Sequence, residues 1–323
     1  LSTLNVFIRN ELGTTDPIVV GGSGAFSGTL GSAFISFFDQ AGSLDHIPAA
    51  VYTGINFTFD PNVAVAGDGF EYRIMGNIST AQWAFSYRNL DPFFINSQTF
   101  NVSITATTCM LDSPIGSGTA FGIKAASGSW TLTCVSGGVQ VTDAASTGFY
   151  LQLGASSWTI QGPWLVGATT NSSKWDVGTS TFTFQTNPAS GGTVVVGLDP
   201  GNFALAQFYN LTIDATCIAA CIGKVQILNH NLIVLNQILI TRTNGLSGES
   251  RLDTTASSLN VTAGSIVEGA SGSGQGSFEA HNSTVTLTGT GTCWSWNAVA
   301  SGNQFMADNS LVVFNVSCTV LST

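Results

Sequence analysis

Charged residues are scarce in this sequence: they make up 8% of its 323 residues, whereas 44% are hydrophobic. Disordered chains combine high charge with low hydrophobicity, so this composition excludes that class. Lys and Arg together number only 8, and the formal net charge is -10. Because nucleic acids are bound through clustered basic residues, we expect no nucleic-acid partner.

Long hydrophobic runs are missing too. The longest candidate, Leu228 to Ile240, is interrupted by Asn and other polar residues, whereas a membrane helix needs about 20 consecutive apolar residues. We therefore expect no membrane span. The sequence also lacks an initiator Met and a signal peptide, which favours a processed chain that begins at Leu1. A surface made of Ser, Thr and Asn is unusual in the cytosol, so we expect an extracellular, cell-surface or virion-surface location.

A polar-apolar-polar-apolar quartet recurs along the whole chain, and Ser258-Leu259-Asn260-Val261 is one copy. Four such residues fit a strand with one wet and one dry face. The quartets recur about every 19 to 29 residues, a spacing typical of a solenoid. Their first apolar residues are Phe34, Phe57, Trp83, Val102, Trp130, Trp158, Phe182, Leu211, Leu232, Leu259, Val285 and Leu311.

The connections between quartets are rich in Gly, Ser and Thr, as in Ser113 to Ser129, and this is typical of turns rather than helices. We predict an all-β fold, a single-stranded parallel β-helix (β-solenoid) of about 12 coils. Residues 1–30 would form an N-terminal strand, cap or assembly segment, and 31–323 the β-helix. The alternative is antiparallel β-sandwich or jelly-roll domains, where alternation is expected but a repeat is not.

The six cysteines pair by spacing. Cys109 and Cys134 are 25 residues apart, as are Cys293 and Cys318, so each pair is separated by about one coil and falls within disulfide range. Cys217 and Cys221 are close enough to bridge a local turn. We predict three disulfides, as expected outside the cytosol; buried free thiols are the alternative.

The two ends of the chain suggest assembly. The segment Leu4 to Ile8 is a possible further strand one coil before Phe34, and residues 314–320 still alternate with no amphipathic helix to cover them. Repeat proteins normally cap such ends, because unpaired backbone groups lie there above an open core. We therefore expect subunits to stack or exchange strands through apolar residues at both ends, which are Leu4, Val6, Ile8, Phe314, Val316 and Val320.

Eight Asn-x-Ser/Thr triplets are glycan acceptors in a secreted chain. Strand geometry alone also produces them, because Asn and Ser both face outward in Phe100-Asn101-Val102-Ser103-Ile104. We expect some to carry sugar, which makes glycans a second candidate partner. The candidate acceptors are Asn56, Asn77, Asn101, Asn171, Asn210, Asn260, Asn282 and Asn315.

No catalytic arrangement is apparent. His46, His230 and His281 are scattered, and Lys224 is isolated in the sequence, whereas acid/base catalysis needs paired carboxylates or a His in a cleft. We therefore predict no enzyme activity, no metal site and no cofactor. Most of the Trp residues are expected to pack in the core, with Trp130 and Trp158 at equivalent coil positions and Trp164 in a turn.

The coil spacing, the inward Leu/Val/Ile/Phe ladder and the outward Asn/Ser/Thr rows resemble the right-handed parallel β-helix proteins of the pectin-lyase-like class. This resemblance covers nearly all of the chain and is one of architecture. The class includes polysaccharide lyases and hydrolases, phage tailspikes and secreted or surface adhesins. Its enzymes use clustered Asp residues, or calcium with Arg or Lys, on an outer sheet. No such cluster is evident here, since Arg242 and Arg251 lack neighbouring Asp pairs apart from Asp253.

These features favour an extracellular structural protein that self-assembles into a surface layer, fibre, filament or virion-surface appendage. One alternative is a polysaccharide-binding or polysaccharide-cleaving β-helix, and another is a monomeric adhesin module. Carboxylates within about 10 Å of one another in an exposed groove would favour the polysaccharide alternative.

Overall fold

A computed structural model describes residues 5–9, 26–27, 33–39, 44–47, 50–61, 70–74, 78–85, 93–113, 121–134, 137–143, 149–167, 175–186, 192–202, 205–216, 221–242, 248–254, 259–269, 275–296 and 304–322. The chain divides into two compact units. Unit 1 is Leu1–Ser157 with Val166–Gly178, and unit 2 is Trp158–Leu165 with Thr179–Thr323. The boundary predicted near residue 30 stays a prediction.

All described elements are β-strands. Those up to residue 176 are β1 Asn5–Arg9, β2 Phe26–Ser27, β3 Ala33–Asp39, β4 Leu44–Ile47, β5 Ala50–Pro61, β6 Phe70–Ile74, β7 Ile78–Phe85, β8 Phe93–Asn96, β9 Val102–Thr105, β10 Thr108–Ser113, β11 Phe121–Lys124, β12 Ser129–Thr133, β13 Gly138–Asp143, β14 Phe149–Gln152, β15 Ser157–Gln161, β16 Trp164–Val166 and β17 Trp175–Asp176. Those that follow are β18 Thr181–Thr186, β19 Thr193–Asp199, β20 Phe208–Ala215, β21 Ile222–Ile227, β22 Leu232–Thr241, β23 Glu249–Asp253, β24 Val261–Glu268, β25 Gln275–Glu279, β26 Thr284–Leu287, β27 Gly291–Trp296, β28 Gln304–Met306, β29 Leu311–Phe314 and β30 Cys318–Ser322.

Unit 1 is built from three sheets. The first has the order β1-β3-β5-β7-β9-β12, the second joins β10 to β13, and the third has the order β4-β6-β8-β11-β14-β17. Every pairing with a described register in this unit is parallel, including β1 with β3 and β11 with β14. Successive strands of each sheet are therefore separated by a full winding of the chain.

Unit 2 has the same architecture, with two sheets. The first has the order β15-β18-β20-β22-β24-β26-β29, and the second has the order β16-β19-β21-β23-β25-β28. Strand β24 pairs through its first half with β26 and through its second half with β27, which in turn pairs with β30. The long strands of this sheet contain register shifts, as at Val234/Gln237 of β22. The strand bends at such a shift, which allows its two halves to lie on two sides of a winding.

The fold is a parallel β-solenoid, as predicted, and antiparallel sandwich domains are excluded because neighbouring windings run in the same direction. The first sheet has six strands in series in unit 1 and seven in unit 2. The sequence predicted a single stack of about 12 coils. The structure describes about six windings in each unit. Among the described residues, no helix is long and apolar enough to cross a membrane.

Inward side chains stack into ladders because parallel pairing superimposes equivalent positions. In unit 2 one ladder runs through Phe182, Leu211, Ile238, Ile266, Trp294 and Val320. Trp158 stacks on Phe182 with ring centroids 5.4 Å apart. Trp130 and Trp158 are fully buried, as predicted, but the turn predicted for Trp164 is wrong, since this residue is fully buried in β16.

Several predicted ladder positions are wrong, by between one and six residues. Val261, not Leu259, stacks between Leu232 and Val285, and Val312, not Leu311, follows Val285. Similarly, Ile35 rather than Phe34 pairs with Phe57, and Leu211 pairs with Ile238 rather than Leu232. The pattern has a period of two, so alternation by itself does not tell where a strand begins, and a one-residue slip changes which face is buried.

Close approach of two windings makes one glycine indispensable. Gly178 has a φ of +53°, and a Cβ atom there would collide with the backbone of Gly154 in the preceding winding of unit 1. We predict that Gly178→Ala lowers the free energy of unfolding by roughly 3 kcal/mol, because backbone strain of about 1 kcal/mol adds to the collision. Urea denaturation would measure this loss.

Gly291 offers a matched control, since its φ is +86° but nothing lies within 4 Å of an added Cβ. Gly291→Ala should cost only the strain of about 1 kcal/mol. Equal losses in the two variants would contradict the proposed contact between windings.

Candidate functional site

The disulfides predicted from spacing are present between Cys109 and Cys134 and between Cys293 and Cys318, each with Cα atoms 5.7 Å apart. The bridged cysteines are not in register with each other: Cys109 is in register with Val139, and Cys318 with Gly291. Each bridge therefore connects adjacent windings across a shift in register.

Cys221 is disulfide-bonded as well. Its predicted partner, Cys217, lies outside the described residues.

The sequons that the structure describes lie on corners and outer faces. Asn101, Asn260, Asn282 and Asn315 are exposed, whereas Asn210 is half-buried. Asn56 lies in β5 with its side chain not described, and Asn77 and Asn171 lie outside the described residues. Glycosylation of these residues stays a prediction.

Two sequon asparagines have a structural role at the start of strands. Asn101 Oδ1 accepts hydrogen bonds from the backbone N–H (3.0 Å) and hydroxyl (2.7 Å) of Ser129 in the next winding. Asn260 Oδ1 accepts from the N–H of Thr284 at 2.9 Å, and the N–H of Asn260 donates to Asn231 Oδ1 at 2.8 Å. This stacking of polar corners satisfies backbone donors where each winding turns.

A charged cluster on the outer face of the second sheet of unit 2 was not predicted. Lys224 Nζ lies 2.9 Å from Asp253 Oδ2 and 2.7 Å from Glu279 Oε2. Arg251 contacts Glu279 Oε1 through Nη1 and Glu249 Oε2 through Nη2, the latter at 2.6 Å. The interpretation of Lys224 as isolated is therefore wrong, because stacking brings together residues 28 or 29 positions apart.

His281 extends this cluster along the edge of the sheet. Its Nε2 lies 3.0 Å from Asp253 Oδ1 and its Nδ1 lies 3.0 Å from Asp308 Oδ2. Asp253, Glu279 and His281 offer ligand atoms within 4.8 Å of one another, a separation suited to a metal ion. Lys224 and Arg251 already bind these carboxylates, however, so a metal would have to displace cationic side chains.

The electrostatics of the cluster favour its charged form. Burial alone would lower the pKa of Lys224, but hydrogen bonds and charges from Glu279 and Asp253 raise it above its ordinary value. The pKa of Arg251 is likewise raised, because Glu249 and Glu279 outweigh the effect of burial. The arrangement neutralises both buried carboxylates, as a structural ion network does.

A second histidine is also paired with a carboxylate. His230 Nδ1 lies 2.8 Å from Asp199 Oδ1, and Asn229 Nδ2 donates to Asp199 Oδ2 at 2.7 Å. Asp199 Oδ1 also accepts from the N–H of Gly201 at 3.0 Å. All acceptor atoms of this carboxylate are thus used within one corner, which fits a structural role. His46 lies in β4, with its side chain not described.

An apolar cavity of about 350 Å³ lies beside the last strands of unit 2. Its described walls belong to β24, β27, β28, β29 and β30 and consist of Glu268, Trp294, Trp296, Phe305, Val312, Phe314 and Val320. Trp294 and Phe305 pack edge to face, with centroids 4.6 Å apart. Trp294 Nε1 donates to Glu268 Oε1 at 2.8 Å.

Glu268 is 1% exposed, and burial raises its pKa to about 7, although the hydrogen bond from Trp294 acts in the opposite direction. In its stacked row it follows Ile213 and Ile240 and precedes Trp296. A carboxyl group thus occupies an otherwise apolar ladder position. The alternation of the sequence gave no sign of this, since a Glu after Val267 reads as an outward residue.

Of the residues predicted to support assembly, four lie in the strands β1, β29 and β30, and Val316 lies in the bend between β29 and β30. Val6 and Ile8 lie in β1, and Leu4 lies outside the described residues. Phe314 and Val320 are 46% and 45% exposed, and Val316 is half-buried.

A scan against protein-family models, a search of curated proteins and a search of solved structures found no match. The parallel β-solenoid is therefore established here by the strand pairing of the chain itself.

The role of Lys224 in the charged cluster is testable by removing its charge. We predict that Lys224→Met lowers the free energy of unfolding by about 3 kcal/mol, because Asp253 and Glu279 lose a cation that neutralises them in a buried setting. Lys224→Arg, which keeps the charge, should cost much less. Chemical denaturation would compare them, and a neutral result for Lys224→Met would contradict the network.

Glu268 should make stability depend on pH. Below pH 4.5, its ordinary pKa, the carboxyl is protonated in both folded and unfolded chains. As the pH rises toward 7 only the unfolded chain ionises, so folding loses about 3 kcal/mol relative to acid conditions, and the loss is complete above the folded pKa.

Glu268→Gln should remove this loss. The urea midpoints of the native protein and this variant, compared at pH 4 and pH 8, would show it. An identical pH dependence in both proteins would contradict the raised pKa of Glu268.

Proposed function

We propose that this chain is a non-enzymatic, extracellular structural protein whose copies assemble end to end into a fibre, filament, layer or virion-surface appendage. The observation that carries the proposal is a concentration of exposed apolar side chains on β29 and β30. Leu311 is 60% exposed, Phe314 46%, Val320 45% and Leu321 39%. Exposed apolar residues gathered on one edge are typical of an interaction surface.

The backbone at this edge supports the same interpretation. Among the described strands, β29 pairs only with β26, and β30 pairs only with β27. Each strand therefore offers a row of backbone donors and acceptors to a further strand, which is how sheets extend between molecules. A second copy is the occupant that we propose.

Strand β1 is the matching element of the second copy, because it pairs only with β3 among the described strands. Its Val6 and Ile8 are in register with Ile35 and Phe37, so they continue two rows of apolar positions. Residues 312 and 314 end two such rows in β29, stacked on Val285 and Leu287. Parallel addition of β1 would place Val6 and Ile8 over these row ends. Joining two different ends in this way gives an open, repeating assembly.

The disulfides support the extracellular part of the proposal. Disulfides persist mainly in oxidising compartments, and the two whose partners are both described link neighbouring windings. They are compatible with secretion, and the outward Asn-rich corners are compatible with glycan attachment.

Assembly is testable at the β29–β30 edge with Leu311→Asp/Leu321→Asp. These charges should prevent association, because charged side chains on an edge strand oppose its pairing with a further strand. We expect the native protein to form larger species with rising concentration in sedimentation velocity and elongated particles in electron microscopy, and the variant to stay monomeric. Leu235→Asp is the matched control, since Leu235 is 56% exposed on β22 and should leave assembly unchanged.

Variants of β1 test the other side of the proposed contact between copies. Val6→Asp/Ile8→Asp should abolish assembly as completely as the first variant if β1 is the element that adds to β29. Loss of assembly only in the first variant would indicate a symmetric pair of β29–β30 edges rather than an open series. A native protein that stays monomeric at high concentration would overturn the proposal and favour the monomeric adhesin module.

A polysaccharide-directed function is the second candidate, and the charged cluster favours it. Asp253 and Glu279 lie close enough to act as a carboxylate pair. Both are buried and bound by Lys224, which argues for structure instead of catalysis. Release of reducing ends from neutral or acidic polysaccharides, with loss of that activity in Glu279→Gln, would reverse this ranking.

A further inference from the structure

The cavity of about 350 Å³ at β27–β30 combines apolar walls with a single buried carboxyl group. Its described walls are aromatic and aliphatic except for one carboxyl group, that of Glu268. Cavities of this size are near the lower end of those that hold small organic ligands, which are lined mainly by apolar groups with a few polar ones.

The carboxyl group has an unused hydrogen-bonding atom. Oε1 of Glu268 accepts from Trp294 Nε1 at 2.8 Å, whereas Oε2 is buried and accepts no hydrogen bond. An unsatisfied buried carboxyl oxygen is costly, and its presence in an apolar ladder therefore needs a reason. A bound water does not supply this reason, because a buried water needs two to four polar partners and the other described wall residues offer few polar groups.

We propose that this cavity binds a primary ammonium compound with a compact apolar body, whose N–H group donates to Oε2 of Glu268. The apolar body of the ligand would lie against Trp296 and Phe305. It would also contact the lining residues of β29 and β30, which are Val312, Phe314 and Val320. A ligand of roughly 10 non-hydrogen atoms matches the volume.

A cation fits this site better than a neutral or anionic ligand. The carboxylate would pair with the ammonium charge through a charge-assisted hydrogen bond. The rings of Trp294, Trp296 and Phe305 would add cation–π attraction. An anion would be repelled by Glu268, which is the only titratable group among the described lining residues.

The raised pKa of Glu268 supports the same assignment. A cationic partner stabilises the ionised carboxylate, so binding should draw a proton off Glu268 near neutral pH and strengthen as the pH rises from 6 to 8. Because the lining residues themselves supply no other titratable group, this pH dependence would belong to Glu268.

The inference does not rest on end-to-end assembly. Leu311 and Leu321, which are altered in the assembly test, do not line the cavity. Ligand binding is therefore measurable on the Leu311→Asp/Leu321→Asp protein, and a failure of one proposal leaves the other intact.

The test is a titration of the Leu311→Asp/Leu321→Asp protein at pH 8 with 2-phenylethylamine and, separately, with its neutral analogue 2-phenylethanol. Binding is followed by tryptophan fluorescence and by the heat of binding. We expect the amine to bind with a Kd on the order of 0.1–1 mM, as suits a ligand of this size. We expect the alcohol to bind at least about tenfold more weakly, because it cannot form the charged hydrogen bond to Glu268.

Glu268→Gln should weaken amine binding at least about tenfold while leaving alcohol binding nearly unchanged, which also shows that the variant is folded. Asp308→Asn, which removes an exposed carboxylate outside the cavity, is the matched control and should bind the amine like its parent. Equal binding of amine and alcohol, undiminished amine binding in Glu268→Gln, or no saturable binding of the amine would each overturn the proposal.

Discussion

Parallel, in-register hydrogen bonding between successive windings is the constraint on which the rest of this structure depends. It places each side chain directly above its counterpart one winding earlier, so a residue's neighbours are fixed by a separation of about one coil. The row Phe182–Leu211–Ile238 shows the result in the core of unit 2, where all three side chains are fully buried. Large apolar side chains stacked in this way remove much surface from water.

The same constraint organises the polar groups. At the corners it stacks Asn231, Asn260 and Thr284, so that amide side chains satisfy the backbone donors of the next winding. On the outer face it brings Lys224 to two carboxylates that are distant in sequence. A chain with few charges thus concentrates several of them in one mutually neutralising network.

The described end of unit 2 is where stacking stops, and the chemistry changes there. Phe314 and Val320 occupy inward rows, yet nearly half of each side chain is exposed, because no further described winding covers them. Two windings earlier, Glu268 interrupts an apolar row beside a cavity. The exposed apolar side chains of the last strands favour addition of another strand. The buried carboxyl group of Glu268, whose Oε2 accepts no hydrogen bond, favours a specific ligand. These two features share Phe314 and Val320, which end inward rows and also line the cavity.

The sequence by itself determined the fold class, because a two-residue alternation that returns about once per coil leaves few architectures other than a parallel solenoid. It also determined two cysteine pairs and the burial of Trp130 and Trp158. It did not determine register: Leu259 and Val261 both satisfy the alternation, and only pairing with Leu232 selects Val261. The charged cluster and the buried position of Glu268 were decided by tertiary structure alone. Both depend on which residues of different windings become neighbours, and a shift of one residue in the stacking would have turned each of them to the opposite face.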